Sequence, residues 1–145
     1  MKRTTILALG VVAVALLLAA GAVLAKGIDC AGGKCVGTKR SDLMIGTAGH
    51  DEISGRGSPD QIFGDVANGP AANDTIRGGG GGDIINDQLG QGSDIDTIFG
   101  GKGDDTIAVQ EGDNSVDEVD CGSGTDTVFA DPNDHLTNCE IVNPS

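Results

Sequence analysis

Between residues 37 and 129 the chain repeats itself every nine residues, with short interruptions, and this repeat limits its possible folds more than any other feature. The unit can be read nine times, at 37–45, 46–54, 55–63, 69–77, 78–86, 91–99, 100–108, 112–120 and 121–129. Its sixth position is always aspartate: Asp42, Asp51, Asp60, Asp74, Asp83, Asp96, Asp105, Asp117 and Asp126. Its eighth is always aliphatic or Met: Met44, Ile53, Ile62, Ile76, Ile85, Ile98, Ile107, Val119 and Val128. Position one is glycine in seven of nine copies, Gln91 and Cys121 being the exceptions. A period this short belongs to a stack of like units, each burying its apolar face only against its neighbours.

Each position has a physical reason. Glycines permit positive φ and a tight turn whose carbonyls can point inward. The triplet around position eight is a minimal strand whose middle side chain points to one face. Two units then make one coil with a strand on each side, and the position-eight residues meet between two parallel sheets. The fold class predicted is all-β, a right-handed parallel β-roll.

The interruptions carry further information. They fall at 64–68, 87–90 and 109–111, each after an odd-numbered unit. They therefore all bulge from the edge that holds the turns of the even units. The even turns are also the poorer in glycine, as in Gly69-Pro70-Ala71-Ala72-Asn73-Asp74 and Gln91-Gly92-Ser93-Asp94-Ile95-Asp96. The glycine-rich turns at 78–83, 100–105 and 121–126 are consecutive on the odd edge.

Composition sharpens the question of what holds such a stack together. There is no Trp or Tyr and only three Phe, so the core is a ladder of small aliphatics. Ile45, Phe63, Phe99 and Phe129 are expected to add to it. All 22 acidic residues follow Ala25, against seven basic ones, a net charge of −15 for that stretch. A chain so acidic repels itself, disfavours nucleic acid and anionic membranes as partners, and favours cations. Aspartates stacked at a strand spacing of about 5 Å would repel strongly without a counter-ion.

The units resemble the G-G-x-G-x-D-x-U-x repeat of the haemolysin-type (RTX) calcium-binding family, most clearly at Gly78–Asn86 and Gly100–Ala108. The resemblance implies that each calcium lies between turns one coil apart, bridging unit n and unit n+2 through both aspartates. Calcium takes six to eight oxygen ligands, among them carboxylates and backbone carbonyls, and a glycine turn ending in Asp offers both. The best sites are expected between Asp83 and Asp105 and between Asp105 and Asp126, with Gly78, Gly80, Gly82, Gly100, Lys102 and Asp104 in the same turns. Asp42, Asp51, Asp60, Asp74, Asp96 and Asp117 are weaker candidates. Other copies depart at positions two and four, for example Thr38, Arg56 and Asp113, or Arg40, Ser58 and Asp94. The even row is expected to bind weakly or to fold without metal. Several Ca2+ ions are expected, and folding that depends on them.

The ends complete the domain plan. Met1-Lys2-Arg3 followed by an apolar run to Ala25 reads as a signal peptide, with an uncleaved anchor as the alternative. Residues 26–36 are expected to cap the roll, and 130–145 to form a second cap and tail. Four cysteines in an exported domain fit two disulfides. If the units stack, Cys30 and Cys35 lie near one end and Cys121 and Cys139 near the other. Cross-pairing would exceed disulfide reach, so Cys30–Cys35 and Cys121–Cys139 are expected.

Catalytic signatures are missing from the sequence. The two histidines, His50 and His135, fall in a repeat turn and in the tail; no Gly-x-Ser-x-Gly, His-Glu-x-x-His or phosphate-loop pattern occurs. The sequence thus predicts a secreted, non-enzymatic, monomeric calcium-binding protein with no small-molecule substrate. Its rivals are a calcium-stiffened adhesion module at the cell surface, a surface-binding array carried by Thr75, Thr97, Thr106 and Thr127, and a small hydrolase or lyase.

Overall fold

A computed structural model describes residues 26–66, 69–88, 93–112 and 115–144. The leader expected over 1–25 lies outside the described residues. Thirteen short strands follow one another: β1 (Lys26–Asp29), β2 (Gly33–Val36), β3 (Asp42–Ile45), β4 (Asp51–Ser54), β5 (Gln61–Phe63), β6 (Thr75–Gly80), β7 (Ile84–Asn86), β8 (Thr97–Lys102), β9 (Thr106–Ala108), β10 (Glu118–Ser123), β11 (Thr127–Ala130), β12 (His135–Thr137) and β13 (Ile141–Pro144). Odd-numbered strands form one seven-stranded sheet and even-numbered strands a six-stranded one, each in chain order. Every pairing is parallel. Successive strands thus alternate between sheets, and the chain climbs one strand spacing per two units, as a β-solenoid. No helix occurs among the described residues.

The register places like on like. In the odd sheet Ile28, Met44, Ile62, Ile85, Ile107, Val128 and Val142 stack in one row. In the even sheet Cys35, Ile53, Ile76, Ile98, Val119 and Leu136 do the same. All nine position-eight side chains are buried. Val109, Ala130 and the cysteines Cys30, Cys35 and Cys121 join them. The aromatic residues do not. Phe99 and Phe129 are 38% exposed, and Phe63 and Ile45 only half-buried. Position nine follows position eight in a strand, and a period of two turns it outward. Phe99 instead lies under the Arg77 guanidinium, 5.3 Å from the ring centroid.

Both disulfides form as expected. Cys30–Cys35 has its Cα atoms 5.5 Å apart, and Cys121–Cys139 5.2 Å. The first closes the turn between β1 and β2. The second ties the last repeat to the coil made by β12 and β13. The threonines of position seven divide between sheets: Thr75 pairs with Thr97 in one, Thr106 with Thr127 in the other. They form no single regular face.

Candidate metal centres

The two edges of the roll are lined by buried aspartates, and their backbone amides explain why. On the odd edge Asp42 donates its N–H to Oδ1 of Asp60, Asp60 to Asp83, Asp83 to Asp105 and Asp105 to Asp126, at 2.7–2.8 Å. On the even edge Asp51 donates to Asp74, Asp74 to Asp96 and Asp96 to Asp117, at 2.7–2.9 Å. A carboxylate from the coil above thus satisfies the amide where each turn enters its strand. Position six is fixed by the fold itself as well as by any ion.

The second carboxylate oxygen is a different matter. Oδ2 of Asp60, Asp83, Asp105 and Asp126 is buried and meets no hydrogen-bond donor; the same is true of Asp74 and Asp96. An orphaned buried carboxylate oxygen is costly and calls for a cation or a proton. On the odd edge a carbonyl joins it. A methyl group on Gly100 would lie 2.6 Å from Asp105 Oδ2 and 2.4 Å from the Cys121 carbonyl oxygen. At Gly78 the corresponding oxygens are Asp83 Oδ2 at 2.4 Å and the Gly100 carbonyl at 2.6 Å. On the odd edge, glycine at position one leaves room for the oxygens of two successive coils that converge there. Cys121, the described exception, is bonded to Cys139 in the terminal coil.

This oxygen-only, donor-free arrangement suits a hard cation such as Ca2+. Burial pushes the Asp83 carboxyl up to about 7, and those of Asp60 and Asp105 to about 6. The neighbouring carboxylates of the ladder add to each rise.

The other expected site residues fall in the same turns. Gly78, Gly80, Gly100 and Lys102 lie in β6 and β8, which run on past the aliphatic triplet. The glycine segments pair there as Gly79 with Gly101 and Gly80 with Lys102. Gly101 has φ +115 and sits so close to the Gly79 carbonyl that no side chain fits. The Lys102 carbonyl accepts from Gly81 and its side chain is exposed. Gly82 packs against the Asp104 carbonyl. Asp104 is exposed, with Oδ1 accepting from Thr125. One coil below, Arg56 and Ser58 take the places of Gly79 and Gly81, with φ 86 and 72. The turn survives there without glycine at those two positions, at the expense of strain.

The weaker candidates divide. In the first coil Thr38 donates its amide to Asp42 Oδ2, and Thr47 donates both amide and hydroxyl to Asp51 Oδ2. At Asp42 the threonine of position two therefore supplies within the turn what an ion would supply elsewhere, whereas Asp51 still buries Oδ1 without a donor. Asp60, Asp74 and Asp96, like Asp51, keep an oxygen free of donors.

Several acidic groups are out of register with the repeat. Asp134 accepts the Asp117 amide and Glu140 the Asp126 amide, so the tail ends both ladders. Asp65, Asp87 and Glu111 come from the three interruptions and Asp94 from a glycine position. They surround the even-row aspartates, and burial together with neighbouring carboxylates raises the pKa of Asp65, Asp87 and Glu111. Oxygens of Asp94, Asp96 and Glu111 lie within 4.8 Å of one another.

The family model for the RTX calcium-binding nonapeptide repeat matches residues 36–69, 63–86 and 91–128, in four copies. The chain belongs to the RTX calcium-binding repeat family. No curated protein and no solved structure shows a significant match. The three consecutive glycine-rich turns of this chain, at 78–83, 100–105 and 121–126, lie on the odd ladder. His50, whose Nδ1 contacts the Asn73 carbonyl oxygen, and His135, 2.6 Å from Glu118 Oε1, are both exposed and belong to neither ladder.

Proposed function

We propose that this chain is a non-catalytic, extracellular calcium-binding protein whose roll is completed by Ca2+ along its odd edge. The reading rests above all on the donor-free Oδ2 atoms of Asp83 and Asp105, each beside a carbonyl of the next coil. The ions sit between Asp83 and Asp105 and between Asp105 and Asp126. The chain's net charge of −13 and the export-like leader support a role outside the cytoplasm, where calcium is abundant and disulfides persist. Far-UV circular dichroism of the oxidised protein, titrated from chelator to about 10 mM Ca2+, tests it across the range of weak extracellular sites. A cooperative coil-to-β transition is expected. A β spectrum in chelator that calcium leaves unchanged would overturn the reading.

A calcium-stiffened interaction module is the second reading. It is favoured by the open groove on the outer face of the even sheet, lined by Thr97, Phe99, Glu118, Asp120 and Thr137. The Phe99 ring lies on that surface rather than in the core. Extracellular material retained by the folded protein in calcium, and lost on Phe99→Ser, would support it.

A further inference from the structure

The three interruptions are placed where a loop would be cheapest, yet each brings a carboxylate inward. Asp65 and Asp87 are 1% exposed, and Glu111 is half-buried. Surface loops normally turn their acids to water.

Asp87 is the most telling. Its amide is held by the Ala108 carbonyl at 2.9 Å, which fixes the residue in the stack rather than in a free loop. Its carboxylate packs against Gly64 so closely that any side chain there would collide with Oδ1. The group bears directly on the Asp96 carboxylate. Neither Asp87 oxygen meets a hydrogen-bond donor, and neither does Asp96 Oδ2. Asp96 in turn shares its surroundings with Asp94 and Glu111, their oxygens mutually within 4.8 Å. Ion pairs join Lys34 and Arg77 to Glu52 and His135 to Glu118, and among the described residues no basic side chain pairs with Asp87 or Asp96. Two buried carboxylates facing each other with three orphaned oxygens require a counter-ion or shared protons.

We infer that Asp87, Asp94, Asp96 and Glu111 form a second kind of calcium site, on the even edge, built from side-chain carboxylates instead of glycine carbonyls. It rests on the calcium reading of the repeats but uses none of the odd-row residues. Asp94 occupies position four, where the repeat has glycine, and Asp87 and Glu111 lie outside the repeat. The site thus uses the residues that make the even row look degraded. Asp96 offers Oδ2, since its Oδ1 holds the Asp74 amide, and with the other three carboxylates binding through one oxygen or two the set suits the six or more oxygens of calcium. Neither a thiol nor an imidazole is among them, which argues against zinc or copper.

The test is calcium titration calorimetry on the oxidised full-length chain, with Eu3+ excitation spectroscopy counting distinct sites. Three proteins are compared: the unaltered chain, Asp87→Asn/Glu111→Gln, and Asp83→Asn/Asp105→Asn. The unaltered chain is expected to show two classes of ion. The even-edge variant loses one class, or binds it at least tenfold more weakly, and keeps the other. The odd-edge variant does the reverse. An even-edge variant that binds the same number of ions with the same affinity overturns the inference, and the facing carboxylates then share protons. Unchanged binding in the odd-edge variant alone overturns the proposed function and leaves the even-edge site standing. If the double even-edge variant fails to fold, Glu111→Gln alone, at the half-buried rim, is decisive. One class must weaken, and an unchanged titration rejects the site.

Discussion

The amide of Asp83 donates to Oδ1 of Asp105 at 2.7 Å across one full coil, while Oδ2 of Asp105 remains buried without a donor. One carboxylate thus has two separable duties, a structural one through Oδ1 and an ionic one through Oδ2.

Asp105→Asn and Asp105→Ala separate them. The amide side chain keeps an oxygen for the Asp83 N–H and discards the charge. It is expected to weaken calcium binding at least tenfold while leaving stability in chelator equal or higher. Alanine leaves the Asp83 N–H buried and unpaired, costing about 1–3 kcal/mol with or without calcium. Thermal melts in chelator and calcium midpoints for both variants check this.

Acid is expected to substitute for calcium. Burial holds the carboxyls of Asp74 and Asp83 at about 7 and those of Asp60 and Asp105 at about 6, all above the ordinary value of 3.8. Between pH 4 and 7 the folded, metal-free chain therefore binds more protons than the unfolded chain, so its stability falls as pH rises through that window. In chelator, β structure should be greatest near pH 4.5 and decline toward pH 7.5. With calcium present the midpoint should move to higher concentration as pH drops below 7, because ion and proton compete for the same oxygens. Circular dichroism that is flat with pH in chelator would contradict the burial of these groups.

Arg56 and Ser58 hold positive φ where the coil above has Gly79 and Gly81. Arg56→Gly should relieve that strain and stabilise the roll by about 1 kcal/mol, lowering the calcium midpoint. Gly101→Ala should act oppositely and more strongly, since φ is +115 and a methyl would lie 2.3 Å from the Gly79 oxygen. Paired denaturant titrations at fixed calcium would compare the two.

Cys121–Cys139 spans 18 residues and anchors the tail whose Glu140 accepts the Asp126 amide. Cys139→Ser with Cys121→Ala should cost about 3 kcal/mol. Amide exchange should rise first at Asp126, ahead of the central coils. Uniform loss of protection would mean that the cap does not act locally.

Much of this was legible because a strict period reports whatever is in register. The position-eight aliphatics, the position-six aspartates, the two-sheet alternation and both disulfides followed from spacing. Phe99 and Phe129 face outward instead of joining the core, because in a strand the period of two outweighs apolar character. Asp65, Asp87, Glu111, Asp134 and Glu140 are not legible in the period, for the converse reason. They reach the ladders from segments with no fixed offset, where only the folded path brings them in. Asp94 was visible, but read as a lost glycine when it is a gained carboxylate.

The ladders also have polarity. Each amide looks forward to a carboxylate one coil later, so the forward end always presents two unmet amides, and Asp134 and Glu140 meet them, one on each edge. Length can therefore change only in whole coils. Inserting or deleting a single nine-residue unit would exchange the two edges beyond that point. It would put glycine turns against acidic loops and bring the terminal acids to the wrong rows. The molecule counts in pairs, and its tail is a two-pronged stop that recognises only even steps.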